Sequence, residues 1–153
     1  MRLQTASRLA IYAVLELSSD PERQLSAADI GEKYGLSTHH LSKVLHTLGR
    51  AGLVRSVRGA GGGYAFVGND KRTTLLDVIE LFESLDETNM PTNDTGPETD
   101  AGWALKSVLG EIDELTRAIL NSVTVSTMHM LMDQPRSGSG AIDQDQGQLS
   151  GNR

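Results

Sequence analysis

Four glycines within residues 59–63 separate two short segments that favour β-strand, and this arrangement constrains the chain more than any other local feature. Residues 53–58 and 64–67 are rich in strand-favouring side chains, so a β-hairpin with a flexible tip is predicted. Phosphate-binding and dinucleotide-binding loops also use repeated glycines, but both require a following helix, whereas the residues after Gly63 favour a strand. The glycines therefore indicate a hairpin, which Arg55 and Arg58 make basic.

Two helices are predicted near the start of the chain. Residues 6–17 are apolar nearly all round, as expected of a helix that is buried on several sides. Ser26 can cap a short second helix by accepting a hydrogen bond from the backbone N–H of Asp29. Gly35 can adopt the left-handed conformation that ends this helix, which predicts a turn directly after it.

A third helix is predicted from the cap residue Ser37 to about Ala51, and it is amphipathic. One face is apolar at spacings of three and four, with Leu41, Val44, Leu45 and Leu48. The opposite face is polar, so we expect it to contact a ligand rather than the core. It consists of Thr38, His39, Ser42, Lys43, His46 and Arg50.

The second half of the chain predicts a shorter helix and a longer one. Thr74 precedes a helical segment over residues 75–85, and residues 86–102 have the composition of a loop. A long helix is expected from Trp103, which should anchor the loop to the core, to about Met132. Its seam has alternating spacings of three and four, and because no partner for it is evident within one chain, we expect two copies to pair. The seam residues are Leu105, Val108, Ile112, Leu115 and Ile119.

Charge is divided unevenly along the chain, whose net charge is −6. Residues 1–75 hold ten Lys and Arg against six Asp and Glu, a net charge of +4, whereas residues 76–153 hold four against fourteen, a net charge of −10. Nucleic-acid binding depends on local positive potential. The first half is therefore the part expected to meet such a partner.

Composition also excludes several classes of function. The chain has no cysteine, which excludes disulfides, thiolate zinc sites and cysteine-ligated iron–sulfur clusters. It has no run of 18 apolar residues and no signal-peptide core at its start, so we expect a cytoplasmic protein without a membrane partner. No Ser/His/Asp set, carboxylate pair or cysteine nucleophile stands out, so an enzyme is not expected.

These elements in this order predict a mainly α fold with a small β-hairpin. It comprises a winged helix-turn-helix over residues 1–85, a loop over 86–102, a dimerisation helix over 103–132 and a disordered tail over 133–153. In a winged helix the third helix enters the major groove of DNA, and the hairpin, or wing, reaches phosphates or the minor groove. The predicted DNA contacts are Thr38, His39, Ser42, Lys43, His46, Arg50, Arg55, Arg58, Gly61 and Gly62.

Alternatives to this hypothesis stay open. The basic face could bind an acidic protein partner instead of DNA, and binding to a preferred palindrome would discriminate the two. His39 and His40 lack the i, i+4 spacing that chelates a metal, so one is expected to contact DNA and the other to pack. The methionines beside His129 more often end a packing helix than bind a soft metal. A hard-cation site is a less favoured reading of the acidic loop, with Asp86, Glu87, Asp94, Glu98 and Asp100.

Residues 36–45, residues 51–56 and above all the wing sequence Val57-Arg58-Gly59-Ala60-Gly61-Gly62-Gly63-Tyr64 resemble the Rrf2 family of winged-helix regulators, roughly over residues 1–128. The resemblance implies a homodimer that binds a palindromic operator, and repression is the outcome we expect. By position it implies base contacts for Ser42 and Lys43 and a minor-groove contact for Arg58.

The chain also departs from the family at two places. His40 stands where the family usually has a buried tyrosine. Cluster-binding members place three cysteines in the segment that corresponds to residues 86–103, and this chain has none. No cysteine-ligated iron–sulfur cluster is therefore expected, and the effector is left open.

Overall fold

The computed structural model describes residues 2–85 and 98–136. In chain order the elements are α1 (Thr5–Ser18), α2 (Ala27–Tyr34), α3 (Thr38–Arg50), β1 (Val54–Val57), β2 (Gly63–Phe66), α4 (Leu75–Glu80), α5 (Asp100–Ser122) and α6 (Val125–Met132). The predicted mainly α fold with one small antiparallel hairpin is confirmed. Most of the predicted loop (residues 86–97) and most of the predicted tail (residues 137–153) lie outside the described residues.

Helix α1 is the centre of the core. Leu9, Val14 and Leu17 on this helix are almost completely buried, and the helix contacts α3, α4, α6 and β2. Full burial of each such side chain contributes about 1.5–3 kcal/mol relative to exposure. The nearly continuous apolar surface of α1 is therefore explained by neighbours on several sides.

Helices α2 and α3 form a compact helix-turn-helix against α1. The predicted cap of α2 is confirmed: the Asp29 N–H donates to Ser26 Oγ (3.1 Å), and the Ser26 N–H donates to Asp29 Oδ2 (2.8 Å). Gly35 ends the helix with a φ of 64°. The predicted side-chain cap by Ser37 is wrong, because its hydroxyl accepts no capping bond. The buried apolar face of α3 fixes that helix instead.

The hairpin is tied to the helix-turn-helix by a third backbone segment. Val54 pairs with Phe66 and Val57 with Gly63 in an antiparallel register. The Tyr64 N–H donates to the Leu25 carbonyl (2.8 Å), and the Leu25 N–H donates to the Tyr64 carbonyl (3.0 Å). These two bonds add the segment before α2 to the edge of the hairpin, so the base of the wing is held against the core.

The predicted single helix over residues 103–132 is wrong, because the chain forms two helices there. Around residue 124 the backbone pairs with the start of α4: the Leu75 N–H donates to the Val123 carbonyl and the Val125 N–H to the Thr73 carbonyl, both at 2.9 Å. Thr124 then caps α6 by accepting a bond from the Thr127 N–H (3.1 Å). Of these two helices, α5 begins earlier than predicted, at Asp100 instead of Trp103.

Helix α6 packs against α1 in the core and does not continue the direction of the chain as part of α5. Val125 is buried, and His129 Nε2 lies 2.8 Å from Ser18 Oγ at the end of α1. The methionines of α6 therefore lie on a helix whose first residue, Val125, packs into the core. Residues 125–132 belong structurally to the winged-helix unit.

The segment after α4 caps the N-terminus of α1. Helix α4 ends at Glu80 rather than continuing to residue 85 as predicted, and Phe82 still packs against the core. The carboxylate of Glu83 accepts hydrogen bonds from the backbone N–H of Gln4 (3.0 Å) and from Ser7 Oγ. Since Gln4 provides no side-chain cap, this distant carboxylate satisfies the start of α1.

Two glycine substitutions should change stability in opposite directions. A Cβ at Gly31 would lie 2.8 Å from the Leu36 carbonyl oxygen, whereas a Cβ at Gly49 would lie 3.7 Å from the Val54 carbonyl oxygen. We expect Gly31→Ala to lower the free energy of unfolding by about 1–3 kcal/mol through overpacking. Gly49→Ala should raise it by up to about 1 kcal/mol through helix propensity. Urea denaturation measures both changes, and equal stability of the two variants would contradict the tight approach at Gly31.

Candidate nucleic-acid interface

Helix α3 presents a continuous polar face beside its buried apolar face. Leu41, Leu45 and Leu48 are completely buried against α1 and α2. This packing leaves the opposite side of the helix in solvent, and each of the six polar residues predicted to contact DNA is exposed. They are Thr38, His39, Ser42, Lys43, His46 and Arg50.

The hydroxyl of Ser42 is already used as a donor. Ser42 Oγ donates to the Thr38 carbonyl at 2.9 Å. Its lone pairs are then available to accept a hydrogen bond from a base edge, and in the major groove the amino groups of adenine and cytosine are the donors. This geometry favours an acceptor role for Ser42.

The wing tip is a tight turn built on glycine conformations. Gly59 and Gly61 have positive φ values of 111° and 75°. The Gly62 N–H donates to the Gly59 carbonyl (2.9 Å), and a Cβ at Gly62 would lie 2.4 Å from the Val57 carbonyl oxygen. The Gly62 N–H is thus engaged within the tip, so a contact of Gly62 with DNA would need its carbonyl or its Cα face.

The basic residues of the wing are exposed. Arg55 lies within β1 and Arg58 at the start of the tip, and both side chains are in solvent. The link from α3 to the wing is short, with Gly52 at a φ of 76° and the Leu53 N–H donating to the Leu48 carbonyl (3.1 Å). The position of these arginines relative to α3 is therefore fixed by the fold.

The two adjacent histidines do not divide their roles as predicted. Their ring centroids are 6.1 Å apart, and both residues are exposed, so the prediction that one of the two packs inside the protein is wrong. His40 instead lines a groove between α1 and α3. The helix places it at the edge of the polar face, where solvent reaches its ring.

An ionic cluster on the outer face joins α1 to α2. Lys33 Nζ donates to both carboxylate oxygens of Glu16 (2.8 and 2.7 Å), and the Tyr34 hydroxyl donates to Glu16 Oε2 (2.9 Å). The Tyr12 and Tyr34 rings stack with their centroids 5.1 Å apart. These contacts fix the angle at which α2, and with it the turn before α3, leaves α1.

The cluster shifts the titration of its members. Burial alone would raise the pKa of Glu16, but the hydrogen bonds from Lys33 and Tyr34 and the positive charge of Lys33 outweigh it and lower that pKa below its usual value of 4.5. Burial, together with the hydrogen bond to the Glu16 carboxylate and its charge, raises the pKa of Tyr34 to about 12. Both shifts favour an ionised Glu16 and a neutral Tyr34 at neutral pH.

Sequence reasoning did not identify this cluster, although a signal was present. Arg8, Tyr12 and Glu16 recur every four residues in a helix that is otherwise almost entirely apolar. That spacing marks a polar stripe along one side of a buried helix. The partners on α2 could not be inferred, because they depend on how the two helices cross.

No residue of α5, all of which is described, is buried. The five predicted seam residues are all at least half exposed. Trp103 is 70% exposed, so the expectation that it anchors the loop to the core of its own chain is wrong. The helix is attached near its other end, where Arg117 forms a salt bridge of 2.6 Å with Glu80 of α4. The seam residues are Leu105, Val108, Ile112, Leu115 and Ile119.

Comparison with known proteins identifies relatives along most of the chain. The Rrf2 family model, described as "Iron-dependent Transcriptional regulator", matches residues 3–130. BadM of Rhodopseudomonas palustris, which is named among the HTH-type transcriptional regulators, is 46% identical over 137 residues, covering 89% of this chain and 86% of that protein. The HTH-type transcriptional regulator IscR of Klebsiella pneumoniae is 30% identical over 132 residues, covering 84% and 79%.

Solved structures have the same fold. CymR, the global cysteine regulator of B. subtilis, matches with a TM-score of 0.73 at 25% identity, covering 87% of this chain and 99% of that one. IscR of T. potens matches with a TM-score of 0.71 at 25% identity, covering 92% and 94%. These matches confirm the predicted winged-helix fold class.

The donor set of this chain does not fit a cysteine-ligated iron centre. The sequence contains no cysteine. Within residues 2–85 and 98–136, no group of three or more His, Cys, Asp or Glu could hold a metal ion. In the same part of the chain, no helix is long and apolar enough to cross a membrane.

Glu16→Gln should destabilise the protein in a pH-dependent manner. The folded carboxyl has a lowered pKa, so its contribution is fully present above the ordinary pKa and is lost as pH falls through the folded value. We expect a loss of about 0.5–1 kcal/mol at pH 7, because Lys33 is largely exposed and its charge is screened. Urea melts at pH 7 and below pH 4 check this; a difference that stays constant at low pH would contradict the ionised cluster. Glu22→Gln, on the exposed loop before α2, is the control.

Proposed function

Because this chain belongs to the Rrf2 family of transcriptional regulators, we propose that it binds DNA sequence-specifically as a homodimer on a palindromic operator and represses the promoter that it occupies. The observation that carries the proposal is that every predicted contact residue on the polar face of α3 is exposed, beside a basic wing. Exposed short side chains on such a helix can approach base edges closely.

The predicted contacts divide into two kinds. On α3, Ser42 accepts from a base amino group, and Lys43 is long enough for a guanine edge or a phosphate. On the wing, Arg58 extends from a narrow glycine tip that fits the minor groove, where a narrow A·T-rich segment concentrates negative potential. Sequence preference then comes from α3 and from the shape of the flanking minor groove.

Dimerisation is supported by the exposed seam of α5. A row of branched apolar side chains along a helix is unfavourable in water, and a second copy of the same helix covers it with matching spacings. Pairing also increases affinity, since one half-site offers few contacts to a single wing and helix. We therefore assign Leu105, Val108, Ile112, Leu115 and Ile119 to the dimer interface.

Repression is the proposed outcome when the two half-sites lie inside a promoter. A dimer that occupies two half-sites inside a promoter covers DNA that the polymerase needs. The homodimer and the palindromic operator are also what the resemblance to the family implies. A cysteine-ligated iron–sulfur cluster has no part in this proposal, because the chain lacks the thiolate ligands.

Selection of binding sites from a pool of random duplexes tests the proposal. The expected result is an inverted repeat with half-sites separated by about one helical turn, roughly 10–10.5 base pairs or a multiple of it. The affinity for the selected site should fall linearly, on logarithmic scales, with salt concentration. An equal response to all duplexes would refute sequence-specific regulation and favour a protein-binding role for the basic face.

Arg58→Ala should weaken binding most at operators with A·T-rich flanks. Loss of a minor-groove arginine should reduce affinity by about tenfold there, within the roughly 1–3 kcal/mol typical of a specific contact. The loss should be smaller with G·C-rich flanks, and Arg136→Ala, beyond α6, should have little effect. Fluorescence anisotropy with the two operators measures this difference. The same loss on both would reassign Arg58 to a phosphate contact.

Ile112→Asp should separate the dimer and abolish operator binding. The substitution places two like charges in the centre of an apolar seam, where they would be desolvated without a partner. Light scattering gives the mass of the complex, and Ser107→Asp, which lies outside the seam, serves as the control. A dimer that survives Ile112→Asp would show that pairing uses a different surface.

A further inference from the structure

A groove of about 340 Å³ lies between the N-terminal half of α1 and the recognition helix α3. Its walls are apolar side chains from three parts of the chain: Leu9 of α1, Val44 of α3 and Phe82 from the turn after α4. The volume is at the lower end of the roughly 300–1,000 Å³ that is usual for small-molecule sites. An occupant of this groove would be small and would have an apolar body.

Among the residues that line this groove, Lys43 carries a positive charge, and His40, Thr5 and Thr47 add neutral polar groups. His40 and Lys43, on successive turns of α3, both line it, and no carboxylate is among the lining residues. The nearby Glu83 carboxylate is engaged by Gln4 and Ser7 at the start of α1. The groove therefore combines apolar walls with hydrogen-bond donors that suit an anion.

We infer that this groove binds a small amphiphilic organic carboxylate. The apolar body packs against Leu9, Val44 and Phe82, and the carboxylate pairs with the ammonium group of Lys43, with His40 as a second donor. The charge complementarity selects this occupant over an apolar segment of a second copy, which would gain nothing from Lys43.

Binding at this site would regulate DNA binding through Lys43. This regulatory step rests on the proposed function. Lys43 lines the groove and also lies on the face of α3 that is assigned to DNA. A carboxylate that holds its ammonium group withdraws it from the operator, so the ligand lowers the affinity for DNA. By reciprocity, operator DNA lowers the affinity for the ligand by the same factor.

The binding step is tested without DNA on the full chain. The fluorescent anion 1-anilinonaphthalene-8-sulfonate reports occupancy, and 3-phenylpropanoate and the neutral 3-phenylpropan-1-ol compete with it. We expect the carboxylate to displace the probe at a concentration at least tenfold lower than the alcohol. Equal displacement by the two, or no bound probe to displace, would overturn the inference.

Three variants locate the site. Lys43→Met should abolish the preference for the carboxylate, and Lys71→Met, which also removes an exposed lysine but lies after the wing, should leave it intact. Ala6→Phe should fill the groove and weaken both competitors, with folding verified by circular dichroism. A preference that persists in Lys43→Met, or a folded Ala6→Phe that binds like the wild type, would place the ligand elsewhere.

A final measurement separates this inference from the proposed function. In the wild type, 3-phenylpropanoate should reduce operator affinity several-fold, and 3-phenylpropan-1-ol at the same concentration should not. Displacement without this reduction, on a protein that binds its operator, would refute the regulatory link. Failure to bind any operator would refute the proposed function and leave the DNA-free displacement result standing.

Discussion

The packing of α3 against α1 is the interaction on which the rest of the structure depends. Leu41, Leu45 and Leu48 are removed from water by this contact together with that of α2, and because a helix turns every 3.6 residues, burial of one side leaves the other side exposed. The same helix also leads directly into the wing. A single hydrophobic interface therefore determines which side chains face outward and where the basic hairpin begins.

Charge follows the same division as the packing. The segment that contains α1, α2, α3 and the wing carries the positive excess, whereas the segment from α4 onward is strongly acidic. The acidic part would be repelled by phosphates, which favours approach of DNA from the side of α3 and the wing. The overall negative charge is thus compatible with a nucleic-acid partner, since the field near the contact surface matters more than the sum.

Local sequence patterns were sufficient to predict the elements whose structure depends on residues close together in the chain. Apolar spacing located α1 and α3, the Ser26–Asp29 pair located the start of α2, and the glycines located the wing. The break between α5 and α6 could not be predicted, because it depends on backbone pairing between Thr73–Leu75 and Val123–Val125. The exposure of His40 and Trp103 and the capping role of Glu83 were missed for the same reason, since each depends on segments that meet only after folding.

The attachment of α5 determines how the proposed dimer would respond to the spacing between two half-sites on DNA. One end of this helix is held to the winged-helix unit by the Glu80–Arg117 ion pair, by the pairing around Thr124 and by the docking of α6 on α1. At that end, the described contacts hold α5 directly to the winged-helix unit. In the proposed dimer the two winged-helix units would be held at a fixed separation, so adding or removing a base pair between half-sites would put one of them out of phase with its groove.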